Sequence, residues 1–370
     1  MLDKVRQSNY ELMRITSMFF IVLWHILLHT EILNNSTGLL KQGSLILYLL
    51  LMVHTNSFML LSGYFQYNKK NKAKKIFGLI GHTWFYNVIF MIIGLSIWNH
   101  SYDKLTILRV TSVLNIGGYW YITGYVLLMI CSQIINKYIN NSTKEEHKKV
   151  LIIFFIIFSI IPYITRNGAI ANDGRSLIQF IFMYLIGAYL GKYPIEKSYH
   201  FKNNSINKNR LIYVSLFFSF MIINYLILQF GYSLKNYNGA IINDIYQTIS
   251  YSRDSFANPF IILSTICYFL LFGTLNFKSK IINRISSLTL GIYLVHENPV
   301  VVNFLYKTII PSVNYNDTLL LLFKFIIYAI ILFIISGLIE FFRQIFTKLI
   351  KKLKITKFVL NKTEQFIKNF

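Results

Sequence analysis

The chain has 370 residues, 55% of them hydrophobic and 14% charged, with a formal net charge of +23. Its apolar residues fall in blocks of about 20, the length that crosses a bilayer as a helix, which excludes a string of soluble domains. The basic excess sits in the short segments between blocks, where it sets membrane orientation, so nucleic acid is excluded as the partner that explains it.

Ten spans are read in chain order: Leu12–His29, Ser44–Phe65, Ile76–Trp98, Tyr119–Ile139, Val150–Ile164, Ser176–Leu190, Leu211–Phe230, Pro259–Phe277, Ile285–Leu305 and Leu319–Ile339. Lysine and arginine number 28 on the side holding both termini and 8 on the other, with Lys324 inside the last span. This asymmetry predicts an all-α polytopic membrane protein of about ten transmembrane helices with both termini cytoplasmic. Residues 1–340 form the membrane domain in this reading. Residues 341–370 form a basic amphipathic tail, with Phe342, Ile345, Phe346, Leu349 and Leu353 at helical spacing among lysines, suited to anionic lipid. The first span reads as a signal anchor. Cys131 and Cys267 fall inside spans and read as packing residues.

Ionisable groups inside a bilayer are costly and usually face a cavity, so they point to function. The first span, "RITSMFFIVLWHILLHT", places His25 11 residues after Arg14, three turns along the same helix face and about 16 Å apart. Arg14 falls at the cytoplasmic mouth, where it can also pair with Glu11 at i,i+3. His25 lies two-thirds of the way across. Imidazole ordinarily titrates near neutral pH, which suits acid–base work in a membrane cavity. His29 reads as an outer interfacial residue. A His25/His29 metal pair is possible at i,i+4, but no cysteine lies near in sequence, and no metal is expected.

The second span carries His54 near its middle and closes on "FMLLSGYF". Ser62 and Gly63 there allow close helix packing, and Ser62 is also a candidate for the donor site. The loop "KKNKAKK" reads as a topology signal, with Lys72 and Lys75 also candidates for anion binding. The fourth span opens on "GGYWYITGY". Trp120 and Tyr121 look like an aromatic belt and offer faces for stacking on a sugar, while the glycine pair suggests a bent entry. The ninth, "LTLGIYLVHENPVV", sets His296 and Glu297 at a depth close to that of His25, as candidate catalytic partners, with Pro299 as a kink.

These blocks together resemble a known family, the membrane-bound acyltransferase-3 enzymes that O-acylate bacterial cell-surface sugars. The opening "RQSNYELMRITSMFFIVLWH" is similar to the family's start, with an arginine, ten residues, then a histidine. "FMLLSGYF", "YWYITGYVLL" and "LGIYLVH" resemble further family blocks in the same order. The resemblance runs from Arg6 to about Ile339. It implies acetyl-coenzyme A as donor, His25 as the key catalytic residue and Arg14 as a donor-binding group. The family's R-x-x-R pair is here Lys72 and Lys75, which attract phosphate without bidentate geometry. The resemblance further implies a glycan hydroxyl as acceptor and the bacterial cytoplasmic membrane as location. Many relatives carry a further hydrolase-like domain, so the acyl group is expected to reach its acceptor within the membrane domain or through glycan-assembly machinery. His25 fits either as base on the hydroxyl or as the site of an acyl intermediate. A transporter or flippase of a lipid-linked glycan is the competing reading. It is disfavoured by the scarcity of intramembrane carboxylates, Glu297 being the clear one, and by the absence of repeated halves.

Overall fold

The computed structural model describes residues 6–69, 73–97, 107–108, 119–165, 172–194, 205–237, 239–306 and 319–350. Every regular element among them is helical. The principal helices in chain order are α1 Ser8–His29, α2 Gly38–Leu51, α3 Val53–Gln66, α4 Ala73–Ser96, α5 Trp120–Asn141 and α6 Lys144–Thr165, the last carrying a π-helical segment at Ile156–Ile160. They continue with α7 Leu177–Lys192, α8 Ile206–Ser233, α9 Ala240–Ser252, α10 Pro259–Gly273, α11 Lys280–Ser286, α12 Thr289–His296, α13 Pro299–Phe304 and α14 Leu320–Ile350.

Among the described residues seven helical segments are long and apolar enough to cross a membrane: α1, α2 with α3, α4, α5, α6, α8 and α14. Two shorter apolar helices, α7 and α10, correspond to the sixth and eighth expected spans. The chain is a multi-pass helical membrane protein. Helix starts are fixed by side chains that accept the otherwise orphaned first-turn N–H groups. Ser205 takes Lys208 N–H, Ser176 takes Gln179 N–H, and Asn258 takes Phe260 N–H ahead of Pro259 at the first helical position. Thr143 and Glu146 form a reciprocal capping box that starts α6 six residues before the expected Val150.

Burial sorts the helices. The most apolar stretch of α2 and α3 is 78% buried within the protein, that of α6 only 11%, so α3 is central and α6 presents its side chains outward. Helices α3 and α7 meet backbone to backbone. A Cβ on Gly63 would lie 2.0 Å from Tyr184 O, and one on Gly187 only 1.9 Å from Leu60 O. The close packing read from "FMLLSGYF" is therefore made, and it requires glycine on both helices. Helix α1 runs antiparallel to α3, with Tyr10 against Tyr64 at one end and Trp24 against His54 at the other.

Two expected spans differ. The ninth, Ile285–Leu305, is not one helix but three, α11, α12 and α13, broken at Ser287–Leu288 and at Glu297–Asn298. Pro299 has no N–H to continue the ladder, and Asn298 instead caps a new helix. The tenth, Leu319–Ile339, runs on through the start of the basic tail as the single helix α14, so residue 340 lies inside a helix. The rest of the tail, 351–370, and the glycine pair at 117–118 lie outside the described residues.

Candidate active site

The site is built on α1. Its central position buries Trp24 and His25, which reach side chains from α2, α3 and α12. At the C-terminal end of α12 two consecutive side chains, His296 and Glu297, both reach His25. His25 Nδ1 lies 3.0 Å from His296 Nε2 and 3.1 Å from Glu297 Oε2. His29 Nε2 lies 3.4 Å from the same carboxylate oxygen, and its ring packs on Tyr306 at 4.4 Å. The expectation that His29 is merely interfacial is thus corrected. One helical turn beyond His25, it closes the far side of Glu297, which a reading of α1 alone cannot reveal.

The hydrogen bonds assign the protons. A backbone carbonyl only accepts, so His296 Nδ1 carries a hydrogen and donates to Ile292 O at 2.7 Å. In the neutral ring, His296 Nε2 then accepts. The two close neighbours of His25 Nδ1 are this nitrogen and a carboxylate oxygen, both acceptors, so Nδ1 of His25 holds the proton. Its lone pair is left on Nε2. A histidine oriented by a carboxylate and a second ring, with one basic nitrogen to offer, is the arrangement of a general base or nucleophile. The same three residues bring ligand atoms within 4.8 Å of one another, a set that can also hold a divalent ion.

His25 and Glu297 line a cavity of about 670 Å³. Two groups of residues define its ends. At one are Arg14, Ser62, Gln66, Tyr125 and Lys75. Tyr125 ties this end together, accepting from Ser62 Oγ at 3.3 Å and Gln66 Nε2 at 3.2 Å. Arg14 is paired with Glu11 at 2.6 Å, as its i,i+3 spacing predicts, and lies over the Phe65 ring at 5.3 Å. It nevertheless lines the cavity with 27% of its side chain exposed, leaving N–H groups for a ligand. Lys75 lines the same end, while Lys72 lies outside the described residues.

At the other end His25, His54, Trp120, Phe256, Arg175 and Glu297 surround the opening. Phe256 is the hub. Its ring contacts Trp24 at 6.0 Å and His54 at 5.4 Å, and stacks on Trp120 at 6.1 Å and 24°. Tyr121 stacks parallel to Tyr125 at 6.2 Å and joins the two ends. His54 is held through Nδ1 by Thr55 Oγ1 at 2.7 Å, and its Nε2 has no hydrogen-bond partner among the described residues.

The structure thus gathers His25, Glu297, Arg14, Lys75, Ser62, Trp120 and Tyr121 around one cavity, with the buried His296 against His25. Sequence reasoning missed Arg175, Tyr125, Gln66 and His82 on its walls. It also missed a second buried carboxylate, Glu340, fully enclosed on α14. Glu340 accepts from His82 Nε2 at 3.0 Å, Tyr86 OH at 2.8 Å, Arg343 Nε at 2.7 Å and Gln344 Nε2 at 2.8 Å. Glu297 is therefore not the sole carboxylate deep in the protein. An acidic residue at the end of an apolar run gave no sign of those partners.

A multi-pass helical protein with a carboxylate-oriented histidine in a cavity that has cations at its other end fits a membrane-embedded group-transfer enzyme. The chain belongs to the acyltransferase family 3, whose domain model matches residues 7–341. No curated protein and no solved structure matches the chain.

Proposed function

We propose that the protein moves an acyl group, acetyl in the first instance, from cytoplasmic acetyl-coenzyme A to a hydroxyl of an extracytoplasmic cell-surface or capsular glycan, within the bacterial cytoplasmic membrane. The observation that carries this reading is one cavity joining Arg14 and Lys75 to the basic nitrogen of His25. The 11-residue separation along α1 is about 16 Å, on the scale of an extended pantetheine arm. Arg14 and Lys75 then meet the donor's phosphates at the cytoplasmic mouth. The thioester arrives beside His25.

His25 Nε2 takes the proton of the acceptor hydroxyl as its oxygen bonds to the thioester carbonyl carbon. The carbon–sulfur bond then breaks, and the proton passes from His25 to the departing thiolate, giving free coenzyme A and the glycan ester. Glu297, 3.1 Å from Nδ1, stabilises the imidazolium that exists between those events. Trp120 and Tyr121 offer ring faces to the acceptor sugar.

Membership in an acyltransferase family, with a carboxylate-paired histidine lining the cavity, favours transfer over translocation of a lipid-linked glycan. The test is glycan analysis of a gene-deleted host complemented with wild type or His25→Ala. Ester groups on the envelope glycan should return with wild type and be lost with His25→Ala at equal membrane abundance, since a positioned base contributes about 10²–10⁴ in rate. Full esterification by His25→Ala refutes the reading.

A further inference from the structure

We propose that Arg175, working beside Trp120, makes the acceptor end of the cavity selective for glycans that carry a negative charge, a carboxylate or phosphate on the stacked sugar. The inference rests on the acyltransferase reading for what the bound sugar is used for, but not for its binding.

Arg175 is fixed in place by an unusual backbone. Asp173 and Gly174 both adopt left-handed conformations, with φ of 53° and 74°. A Cβ at Gly174 would lie 2.5 Å from Ala257 N, so only glycine brings this turn against the 256–257 segment. Asp173 O accepts from Phe256 N–H at 2.8 Å. Phe256 O in turn accepts from Asn56 Nδ2 at 2.8 Å and from Gln179 Nε2 at 3.2 Å, which ties the turn to α3 and α7. Rigid backbone on both sides therefore aims Arg175 at the cavity.

Its guanidinium has less to do there than that support implies. It lies over the Phe256 ring at 5.5 Å, and its described carboxylate neighbour, Asp173 Oδ2, is at 3.8 Å, beyond hydrogen-bond distance. The side chain is 32% exposed and forms no hydrogen bond among the described residues. An arginine ordered on a cavity wall with its planar fork unused matches carboxylate or phosphate geometry. Trp120 also stacks on Phe256, is 36% exposed and lines the same cavity as Arg175. A sugar ring laid on that tryptophan thus sits in the cavity that the guanidinium lines, while Phe256 leads to His25 through Trp24 in two ring contacts.

The test is equilibrium binding to the purified full chain in nanodiscs without acyl donor, read by tryptophan fluorescence. The probes are methyl glucuronide, glucose 6-phosphate and methyl glucoside. The first two should bind roughly ten- to a hundredfold more tightly than the third, the range of hydrogen bonds to a charged group. Arg175→Gln should remove the difference while leaving glucoside binding unchanged, and Arg175→Lys should keep part of it. A glucuronide preference without a phosphate preference identifies a carboxylate site, and the reverse identifies a phosphate site. Equal binding of all three by wild type overturns the proposal, as does an anionic preference that survives Arg175→Gln. Because no donor is present, a chain that binds anionic sugars yet transfers no acyl group would sink the acyltransferase reading and leave this site standing.

Discussion

Replacing Glu297 with glutamine keeps the shape of the centre and removes its charge. The carboxylate lies 3.1 Å from His25 Nδ1, with 9% and 19% of the two side chains exposed. At an effective dielectric of about 20, a full charge at that distance interacts with a developing imidazolium by about 5 kcal/mol, the upper bound. The net loss is smaller, because glutamine still offers a hydrogen-bonding oxygen. Hydrogen bonds to charged groups contribute about 1.5–3 kcal/mol, which corresponds to roughly 10- to 150-fold in rate. We therefore expect kcat to fall by about 10²-fold. The KM for acetyl-coenzyme A should hold, because Arg14 and Lys75 sit at the opposite end of the cavity. The assay is donor-dependent release of coenzyme A thiol by proteoliposomes carrying acceptor glycan. The two changes should also be non-additive: in a His25→Ala background, Glu297→Gln has no imidazolium left to destabilise. A kcat within threefold of wild type, or full additivity with His25→Ala, refutes the role given to the carboxylate.

Arg14→Ala should raise the acetyl-coenzyme A KM by about tenfold and Arg14→Lys by less, measured in the same assay, because lysine keeps charge without the fork. Lys75→Ala should raise that KM with kcat unchanged; an unchanged KM would return the lysine to membrane orientation alone. Gly63→Ala should lower thermal stability in detergent by about 1–3 kcal/mol or more, since its Cβ would fall 2.0 Å from the Tyr184 carbonyl oxygen. An unshifted midpoint would show that α3 and α7 do not touch there.

What the sequence disclosed depended on whether one helix held the information. The Arg14 to His25 spacing lies wholly on α1, and the structure places both on one cavity. The Glu11–Arg14 pair was legible for the same reason. His29 was not, because its partners Glu297 and Tyr306 are supplied by the chain beyond α12. Arg175 was counted as a loop charge, since charge counting treats every arginine near a span end alike; what sets it apart is a left-handed turn packed on Phe256, 81 residues onward. Glu340 drew no reading from the sequence, because its partners His82 and Tyr86 lie more than 250 residues earlier.

The broken ninth segment shows how the fold keeps irregular backbone deep in the protein. Where a helix breaks away from water, each freed carbonyl and N–H needs another partner. Leu294 O would accept from Asn298 N–H in a continuous helix, but that N–H turns back to Val295 O at 3.4 Å. Tyr119 supplies the replacement, donating its hydroxyl to Leu294 O at 2.6 Å while accepting from Asn298 Nδ2 at 3.0 Å. At the earlier break Ser287 O takes Gln344 Nε2 at 3.1 Å, and the same amide nitrogen reaches Glu340. Glu340 presses on Gly291, where a Cβ would fall 2.2 Å from its carboxylate oxygen. Helix α12 is thus clamped at both ends, by Tyr119 and Asn298 near His296 and by Gln344 and Glu340 at Ser287 and Gly291. Those clamps fix the end of α12, where the last ladder bond, Glu297 N–H to Tyr293 O at 3.2 Å, still holds, and so fix the consecutive His296 and Glu297 that both reach His25.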